Sequence, residues 1–265
     1  MAVESDNIDE VTRWQRYARQ MVLPGFGLEG QQRLSRSRVL LLGAGGLGSV
    51  CSQYLVRAGV GRLMIIDRGK VDLPDLNRQL LYTTEDVGKP KALVAEQLLR
   101  NINSEVETVG IYEEIDQDSL REYVGEADIV IDALDNFPAR LAANRECWRQ
   151  GKLLVHGGVL GLRGIATVVA PGKGPCLQCI YEAHDLTPPE SPFPVLGPTP
   201  GVIGCIQAME TLNILVGAAP SLVGRLILFN GESMNFSYRK VNQNSDCPVC
   251  RETDSTSDYG GGSER

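Results

Sequence analysis

The sequence predicts an α/β protein with a Rossmann-like, mostly parallel sheet that helices flank, followed by an antiparallel C-terminal extension. The first observation is an alternation of short apolar runs with helical segments, which continues as far as Gly157. Strands joined by helices form βαβ units, and these place parallel strands in one sheet with helices on both faces. The second observation is a change after Gly161, where Arg225–Asn230 and Asn235–Lys240 have the pattern of an antiparallel pair.

The parallel half begins with Arg38–Leu42, a short apolar run that ends in glycines and predicts a buried strand. Arg62–Asp67 is a second run of this kind. Between them, Leu47–Ala58 has apolar residues at helical spacing, so we expect one buried face. That face comprises Leu47, Val50, Cys51, Tyr54, Leu55 and Ala58. The further predicted elements are a helix Lys89–Asn101, strands Glu105–Tyr112 and Ala127–Leu134, a helix from there to Gln150, and a strand Leu153–Gly157.

The C-terminal half adds a predicted strand, Ile165–Ala170, and a predicted helix, Gly201–Val216, with a proline-rich stretch without periodicity, Leu177–Pro200, between them. No linker-like composition interrupts residues 11–250, which we therefore expect to form a single domain. Residues 1–10 are polar and acidic and predict a flexible N-terminus. Residues 251–265 are rich in Ser, Asp and Gly, and we expect a disordered tail because they offer little apolar area to bury.

Composition narrows the classes of function. The 265 residues carry 26 basic and 33 acidic side chains, a formal charge of −7, which argues against general nucleic-acid binding and against an anionic membrane face. No apolar run is long enough to span a membrane, and the N-terminus has no signal-peptide pattern. Seven cysteines without a secretory signal do not indicate a disulfide framework, so we expect a cytoplasmic protein.

A glycine-rich loop, Gly43–Gly48, follows the first strand and opens the first predicted helix. Glycines let backbone N–H groups approach a phosphate, which a helix N-terminus also favours. Asp67 ends the next strand, where a carboxylate can accept hydrogen bonds from ribose hydroxyls. The pattern indicates a nucleotide site. A plain tight turn and a dinucleotide oxidoreductase are the alternatives.

Two cations downstream of Asp67 favour a triphosphate over a nicotinamide cofactor. Arg78 and Lys91 could offset the charge of the β- and γ-phosphates, although each could also be an ordinary surface charge. Asp132 and Asp135 follow a buried strand, whose end in an open sheet faces the ligand crevice. Asp135 is the candidate Mg²⁺ ligand, whereas Asp132 could cap a helix or form a core hydrogen bond.

Four cysteines form two C-x-x-C pairs, which predict a tetrahedral zinc site with four thiolate ligands; the four are Cys176, Cys179, Cys247 and Cys250. The long separation of the pairs means that tertiary structure would assemble this site, which has no open coordination position and is expected to be structural. A redox dithiol is the alternative. We expect Cys51, Cys147 and Cys205 to be inert core residues, and neither His156 nor His184 has a visible partner.

Taken together, these motifs resemble the ubiquitin-activating-like adenylyltransferase family, specifically its MoeB/ThiF/HesA branch. The resemblance runs from about Arg16 to Cys250. In order, it comprises RYARQ, GAGGLGS, AGVG, LNRQ, VGKPK, the Asp135-Asn136 turn with Arg140 and Asn144, GVIG with QAME, and both C-x-x-C pairs.

The resemblance implies ATP-dependent adenylation of the C-terminal glycine carboxylate of a ubiquitin-like sulfur-carrier protein that ends in diglycine. The products would be an acyl-adenylate and pyrophosphate. The implied roles are Gly46 against the nucleotide, Asp67 at the ribose, Asp75, Asn77, Arg78 and Lys91 around the phosphates, and Asp135 on Mg²⁺. Arg19 would reach the phosphates of a neighbouring subunit, which implies a homodimer with composite sites.

The sequence departs from the family pattern at three places. Gly69 stands where a second acid usually follows Asp67, and Pro74-Asp75 replaces the usual Ser-Asn. The segment Tyr181–Pro200 contains no cysteine, although thiamine-type members carry one there for a covalent link to the carrier. We therefore expect adenylation without a covalent cysteine intermediate, followed by attack of a separate sulfur donor.

Other functions remain open at the level of sequence. The substrate could be a peptide or a small carboxylic acid, and a non-catalytic nucleotide-binding scaffold is compatible with Gly69 and Asp75. The sequence does not distinguish thiamine, molybdopterin or another carrier-dependent pathway.

Overall fold

A computed structural model describes residues 14–184 and 194–251. Its centre is one eight-stranded sheet in the order β3-β2-β1-β4-β5-β6-β7-β8. The strands β1 to β8 are Arg38–Leu42, Arg62–Ile66, Glu107–Ile111, Ile129–Asp132, Leu153–Leu160, Arg163–Val169, Arg225–Asn230 and Asn235–Lys240. The first five strands pair in parallel and the last three pair antiparallel. The predicted sheet is thus confirmed.

Helices cover both faces of this sheet. The helices α1 to α8 span Ala18–Met21, Gly27–Leu34, Gly46–Ala58, Lys91–Ile102, Gln117–Glu126, Phe137–Arg149, Leu177–His184 and Pro198–Leu215. Two single 3-10 turns, Leu73–Asp75 and Thr84–Asp86, lie between β2 and α4. One apolar core joins the sheet to α3, α4 and α8, and a second core on the opposite face joins it to α5, α6 and α7.

The strand order places a crevice above the carboxyl ends of β1 and β4. From β1 the chain proceeds outward through β2 to β3 and then crosses back to β4 on the other side of β1. The strand order therefore reverses between β1 and β4, which is the switch point of the sheet. The loops that follow these two strands lead away from each other, and ligands of doubly wound folds bind in the gap between them. The glycine-rich loop follows β1, and Asp135 follows β4.

The N-terminal helices lie at the end of the sheet opposite the crevice. The Tyr17 hydroxyl accepts a hydrogen bond from Asn103, just beyond the end of α4, and the Gln20 amide donates to the Ala58 carbonyl. Ala58 is the last residue of α3, whose 13 residues span about 20 Å from the glycine-rich loop. The segment around Arg19 is therefore remote from the nucleotide crevice of its own chain.

Two residues expected in the core are exposed instead. The Tyr54 side chain is 52% exposed on α3, and Cys205 is exposed on α8. Both helices bury only the face that points to the sheet or to each other, and helical periodicity alone did not locate the edge of that face. The expectation that Cys205 is a core residue was wrong, whereas Cys51 and Cys147 are buried as expected.

Helices α5 and α7 were not predicted. Helix α5 buries only Leu120 and Val124, and a cap from the Asp116 carboxylate to the backbone of Ser119 defines its start. Helix α7 begins inside the stretch expected to lack periodicity, because the cysteine pair and the core beneath it order this segment.

Among the described residues, no helix is long and apolar enough to cross a membrane. The expectations for residues 1–10 and 252–265 fall outside the described ranges.

Candidate functional site

The glycine-rich loop approaches the neighbouring strand end too closely for any side chain. Gly43 has a φ of 95°, and a Cβ there would lie 2.6 Å from the carbonyl oxygen of Ala133. A Cβ on Gly48 would collide with the backbone of Gly43. Only glycine allows both the positive φ and this contact. The loop therefore lies directly beside the start of the Asp135 loop, with the first N–H groups of α3 above the crevice.

Asp67 fixes the other side of the glycine-rich loop. Its carboxylate accepts hydrogen bonds from the backbone N–H of Ala44 at 2.7 Å and from that of Gly69 at 2.6 Å. Each carboxylate oxygen has a further lone pair for a ribose hydroxyl. A Cβ on Gly69 would lie 2.9 Å from one Asp67 oxygen, so the missing second acid lets the backbone fold back onto Asp67.

Asp75 joins the two predicted phosphate-binding cations. One oxygen of its carboxylate lies 2.8 Å from the Lys91 ammonium, and the other lies 3.1 Å from the Arg78 guanidinium. The side chains of Asp75 and Lys91 are only 12% and 14% exposed. A single carboxylate thus pairs with both cations, which explains how an acid is accommodated among the residues predicted to surround the phosphates.

Arg78 lies directly over the glycine-rich loop. A Cβ on Gly46 would contact the Arg78 side chain at 3.5 Å and the ring of Pro200 at 3.1 Å. The Arg78 guanidinium also donates to the carbonyl of Pro74 and to the side chain of exposed Asn77. The structure therefore brings a set of predicted residues together beside the glycine-rich loop, at the carboxyl ends of the parallel strands. These residues are Gly46, Asp67, Asp75, Asn77, Arg78 and Lys91.

Asp135 lies across the switch point from this cluster. It is exposed and has no hydrogen-bond partner among the residues that the structure describes. Because Leu42 of β1 pairs with Asp132 of β4, the two loops that follow these strands are neighbours. No ion pair connects Asp135 to Lys91 or Arg78 within the described ranges. A free carboxylate at this position suits a divalent cation.

Arg19 is the predicted residue that the structure separates from the others. It is exposed on α1, at the end of the sheet opposite the glycine-rich loop. A distance of about 20 Å along α3 exceeds the reach of an arginine side chain.

A buried polar cluster beneath the crevice was not predicted. We call Asp132, Arg140, His156 and Tyr181 the buried tetrad; each is less than 10% exposed. The Arg140 guanidinium lies 3.0 Å from the Asp132 carboxylate, and the Tyr181 hydroxyl lies 3.1 Å from His156 Nε2. His156, for which the sequence shows no partner, therefore has two, and Asp132 has the core role that was the alternative to a ligand role.

Charges within the tetrad determine its protonation states. Burial raises the pKa of Asp132, but the Arg140 charge and the hydrogen bond from His156 outweigh this effect and hold it below its usual value. Burial and the Arg140 charge lower the pKa of His156. A neutral His156 then donates from Nδ1 to Asp132, at 2.7 Å, and accepts at Nε2 from Tyr181.

The four cysteines of the C-x-x-C pairs meet in the second core, on the other face of the sheet. Their sulfur atoms, those of Cys176, Cys179, Cys247 and Cys250, all lie within 4.8 Å of one another and are buried. Three of the Sγ–Sγ distances are 4.0, 3.6 and 3.6 Å. Four thiolates around zinc at about 2.3 Å have sulfur atoms about 3.8 Å apart, so the cluster fits the ion. All four positions would be filled by protein.

Two other cysteines are buried away from the cysteine cluster and keep their thiols protonated. Cys51 and Cys147 are completely buried in apolar cores, and burial raises the pKa of both thiols. A thiol that remains protonated is neither a nucleophile nor a metal ligand.

Two supporting residues of the crevice also went unpredicted. The Tyr82 hydroxyl donates to the Ala44 carbonyl at 2.8 Å and thereby supports the glycine-rich loop from below. Pro200 covers Gly46 from the start of α8. Tyr82 follows LNRQ closely in the sequence, but nothing local indicates that its hydroxyl reaches back to residue 44.

Comparisons with known proteins agree with this architecture. The model of the ThiF family matches residues 17–249. The chain is 38% identical over 253 residues to "SAMP-activating enzyme E1" of Haloferax volcanii, covering 92% of this chain and 91% of the relative. It is 39% identical over 246 residues to "Sulfur carrier protein adenylyltransferase" of Thermus thermophilus, covering 89% and 90%.

A solved structure supports the same fold. The structure of E. coli MccB has a TM-score of 0.79 and 25% sequence identity, over 89% of this chain and 72% of that one. The family match covers the glycine-rich loop, the Asp75 cluster, the Asp135 loop and all but the last of the four cluster cysteines. The chain belongs to the ThiF family, in the MoeB/ThiF/HesA group that its motifs resemble.

Proposed function

We propose that this protein uses ATP to adenylate the C-terminal glycine carboxylate of a ubiquitin-like sulfur-carrier protein, with release of pyrophosphate. The observation that carries the proposal is the position of Arg78 over the glycine-rich loop at the switch point of the sheet, with Lys91 connected to Arg78 through the Asp75 carboxylate. The named relatives are a SAMP-activating enzyme and a sulfur-carrier adenylyltransferase, and these names support the choice of substrate.

The crevice offers the groups that adenylation needs. The carrier carboxylate would attack the α-phosphorus in line, and pyrophosphate would leave with increasing negative charge. Arg78 and Lys91 would stabilise that charge, and Asp67 would hold the ribose. Mg²⁺ bound to Asp135 would neutralise phosphate oxygens when present. The other contribution of the chain is to hold the two reactants in the correct orientation.

The position of Arg19 supports a homodimer with shared sites. Arg19 is exposed at the opposite end of its own chain from the crevice. Two exposed apolar side chains, Val22 at 79% and Leu23 at 53%, follow it in the sequence. A second copy that covered this surface would bury them and bring Arg19 to the phosphates of its partner.

The cysteine cluster would serve as a structural zinc site. It connects α7 to the C-terminal segment that follows β8, and filled coordination leaves no position for a substrate. We further propose that no cysteine of this chain bonds to the carrier, since Tyr181–Pro200 contains none. A separate sulfur donor would then attack the adenylate.

The experiment that tests this function is ATP–pyrophosphate exchange, measured with labelled pyrophosphate. We expect exchange that depends on a purified carrier ending in diglycine and that stops when the terminal glycine is removed. Exchange with small carboxylic acids or short peptides, but not with carriers, would support the alternative substrates. ATP binding without exchange for any of these substrates would indicate a non-catalytic scaffold and contradict the proposal.

A further inference from the structure

The buried tetrad holds the loop that carries Asp135. Leu134, the residue before Asp135, has both of its backbone polar groups bound by the tetrad. Its N–H donates to the Asp132 carboxylate at 3.0 Å, and its carbonyl accepts a hydrogen bond from the Arg140 guanidinium. Asp135 has no partner of its own among the described residues, so the backbone on either side determines where its carboxylate points.

Arg140 connects this loop to α7. One of its terminal nitrogens donates to the Tyr181 hydroxyl at 2.7 Å, and the other donates to the carbonyls of Leu134 and Gly157. The Tyr181 hydroxyl donates in turn to His156 Nε2, and His156 Nδ1 donates to the Asp132 carboxylate. The four side chains thus close a ring that involves β4, α6, β5 and α7 and that is shielded from bulk solvent.

Helix α7 is also the helix of the first cysteine pair. Cys176 immediately precedes this helix, Cys179 lies within it, and Tyr181 follows Cys179 two residues later. A second hydrogen bond ties the same two helices together, since the Asn144 side chain on α6 accepts from the backbone N–H of Leu177 at 2.9 Å. The cysteine cluster and the Asp135 loop are therefore connected through two contacts between α6 and α7.

We propose that Arg140 and Tyr181 are positioning residues that hold the Asp135 loop against α7, so that the cysteine cluster supports the metal-binding carboxylate through this helix. The part that concerns the metal rests on the proposed function. Loss of the Tyr181 hydroxyl leaves Arg140 with one fewer acceptor in a buried site, and the Leu134 carbonyl is then held by a less constrained guanidinium. Asp135 would still be present but less well oriented.

The experiment compares Tyr181→Phe and Arg140→Lys with the wild type and with Tyr123→Phe as control. Tyr123 is a half-buried tyrosine on α5 whose hydroxyl contacts Glu113, away from the tetrad. The first measurement is hydrogen exchange of the peptide covering residues 133–136 in the protein without nucleotide. We expect about 10-fold faster exchange in Tyr181→Phe and unchanged exchange in Tyr123→Phe.

The second measurement is the Mg²⁺ concentration that gives half-maximal ATP–pyrophosphate exchange. We expect it to rise about 3- to 10-fold in Tyr181→Phe, with near wild-type kcat at saturating Mg²⁺ and unchanged zinc content. Asp135→Ala should not be rescued by Mg²⁺. If Arg140→Lys fails to fold, Tyr181→Phe alone tests the proposal, because this substitution removes one oxygen atom and keeps the ring.

The outcomes separate this inference from the proposed function. Faster exchange of residues 133–136 with a raised Mg²⁺ requirement supports it. A lower melting temperature with unchanged loop exchange and unchanged Mg²⁺ requirement would show a merely structural role and overturn it. If the wild type shows no pyrophosphate exchange, the proposed function fails, and an unchanged loop exchange rate in Tyr181→Phe would still overturn the positioning role.

Discussion

The substitution Asp75→Asn tests the account of the nucleotide site, because it separates stability from ATP affinity. Asn is the residue that the resemblance gives as usual at this position. The Asp75 carboxylate bridges Lys91 at 2.8 Å and Arg78 at 3.1 Å and is 12% exposed. Its loss leaves two cations unpaired in a partly buried site. We expect the free energy of unfolding to fall by about 1–3 kcal/mol.

ATP affinity should change in the opposite direction. If Lys91 also contacts a phosphate oxygen at a similar distance and its nitrogen lies in line between the two groups, the carboxylate and phosphate oxygens are about 5.6 Å apart, twice the 2.8 Å of the observed pair. Two negative charges at that distance repel by about 0.7 kcal/mol in water and about 3 kcal/mol at an effective dielectric constant of 20. Removing one of them should tighten ATP binding by about 3- to 150-fold.

The assay is urea unfolding for stability and equilibrium dialysis with labelled ATP and Mg²⁺ for affinity. Asp86→Asn is the matched control, because Asp86 ends the neighbouring 3-10 turn, closes the same kind of capping box and pairs with Lys89 three residues on. It should leave ATP affinity unchanged. Equal or weaker ATP binding in Asp75→Asn, in a folded protein, would refute the idea that Asp75 competes with phosphate for the two cations.

Three further predictions concern the rest of the molecule. Cys176→Ser should abolish stoichiometric zinc in metal analysis and lower the melting temperature, because it removes one of four ligands in the cluster; unchanged zinc would refute the site. Folding lowers the pKa of His156 from its usual 6.5, so below that pH the unfolded chain binds a proton that the folded chain does not. The free energy of unfolding should therefore fall by up to about 1.4 kcal/mol per pH unit as the pH drops below 6.5. His156→Asn should remove this dependence in urea titrations, whereas His184→Asn as control should not. If sites are composite, mixing Arg19→Ala with Asp135→Ala subunits should restore about a quarter of wild-type exchange, and no recovery would contradict a shared site.

The parallel half of the fold could be predicted because its signals are local. The run Arg38–Leu42 and the glycines that follow it specify a buried strand and a tight turn over a short stretch of chain. The cysteine cluster could be predicted despite a separation of 71 residues between partners, because four thiols in two pairs have one common chemical explanation.

The buried tetrad could not be predicted, because its contacts depend on where distant elements pack. His156 contacts the Asp132 carboxylate, which is 24 residues earlier in the sequence, and the Tyr181 hydroxyl, which is 25 residues later. In the sequence it is a single histidine in an apolar strand. The exposure of Tyr54 and Cys205 has a similar cause, since the width of the face that α3 and α8 bury depends on their mutual packing and not on the period of either helix.

The central claim is that Lys91, Arg78 and Asp135 act on one triphosphate above the glycine-rich loop. A crystal structure with Mg²⁺ and a non-hydrolysable ATP analogue tests it most directly. The account predicts that the phosphates lie over Gly46 in contact with Lys91 and Arg78, and that the metal connects Asp135 to the phosphate oxygens. Phosphates bound elsewhere, or a metal without Asp135 among its ligands, would contradict the account.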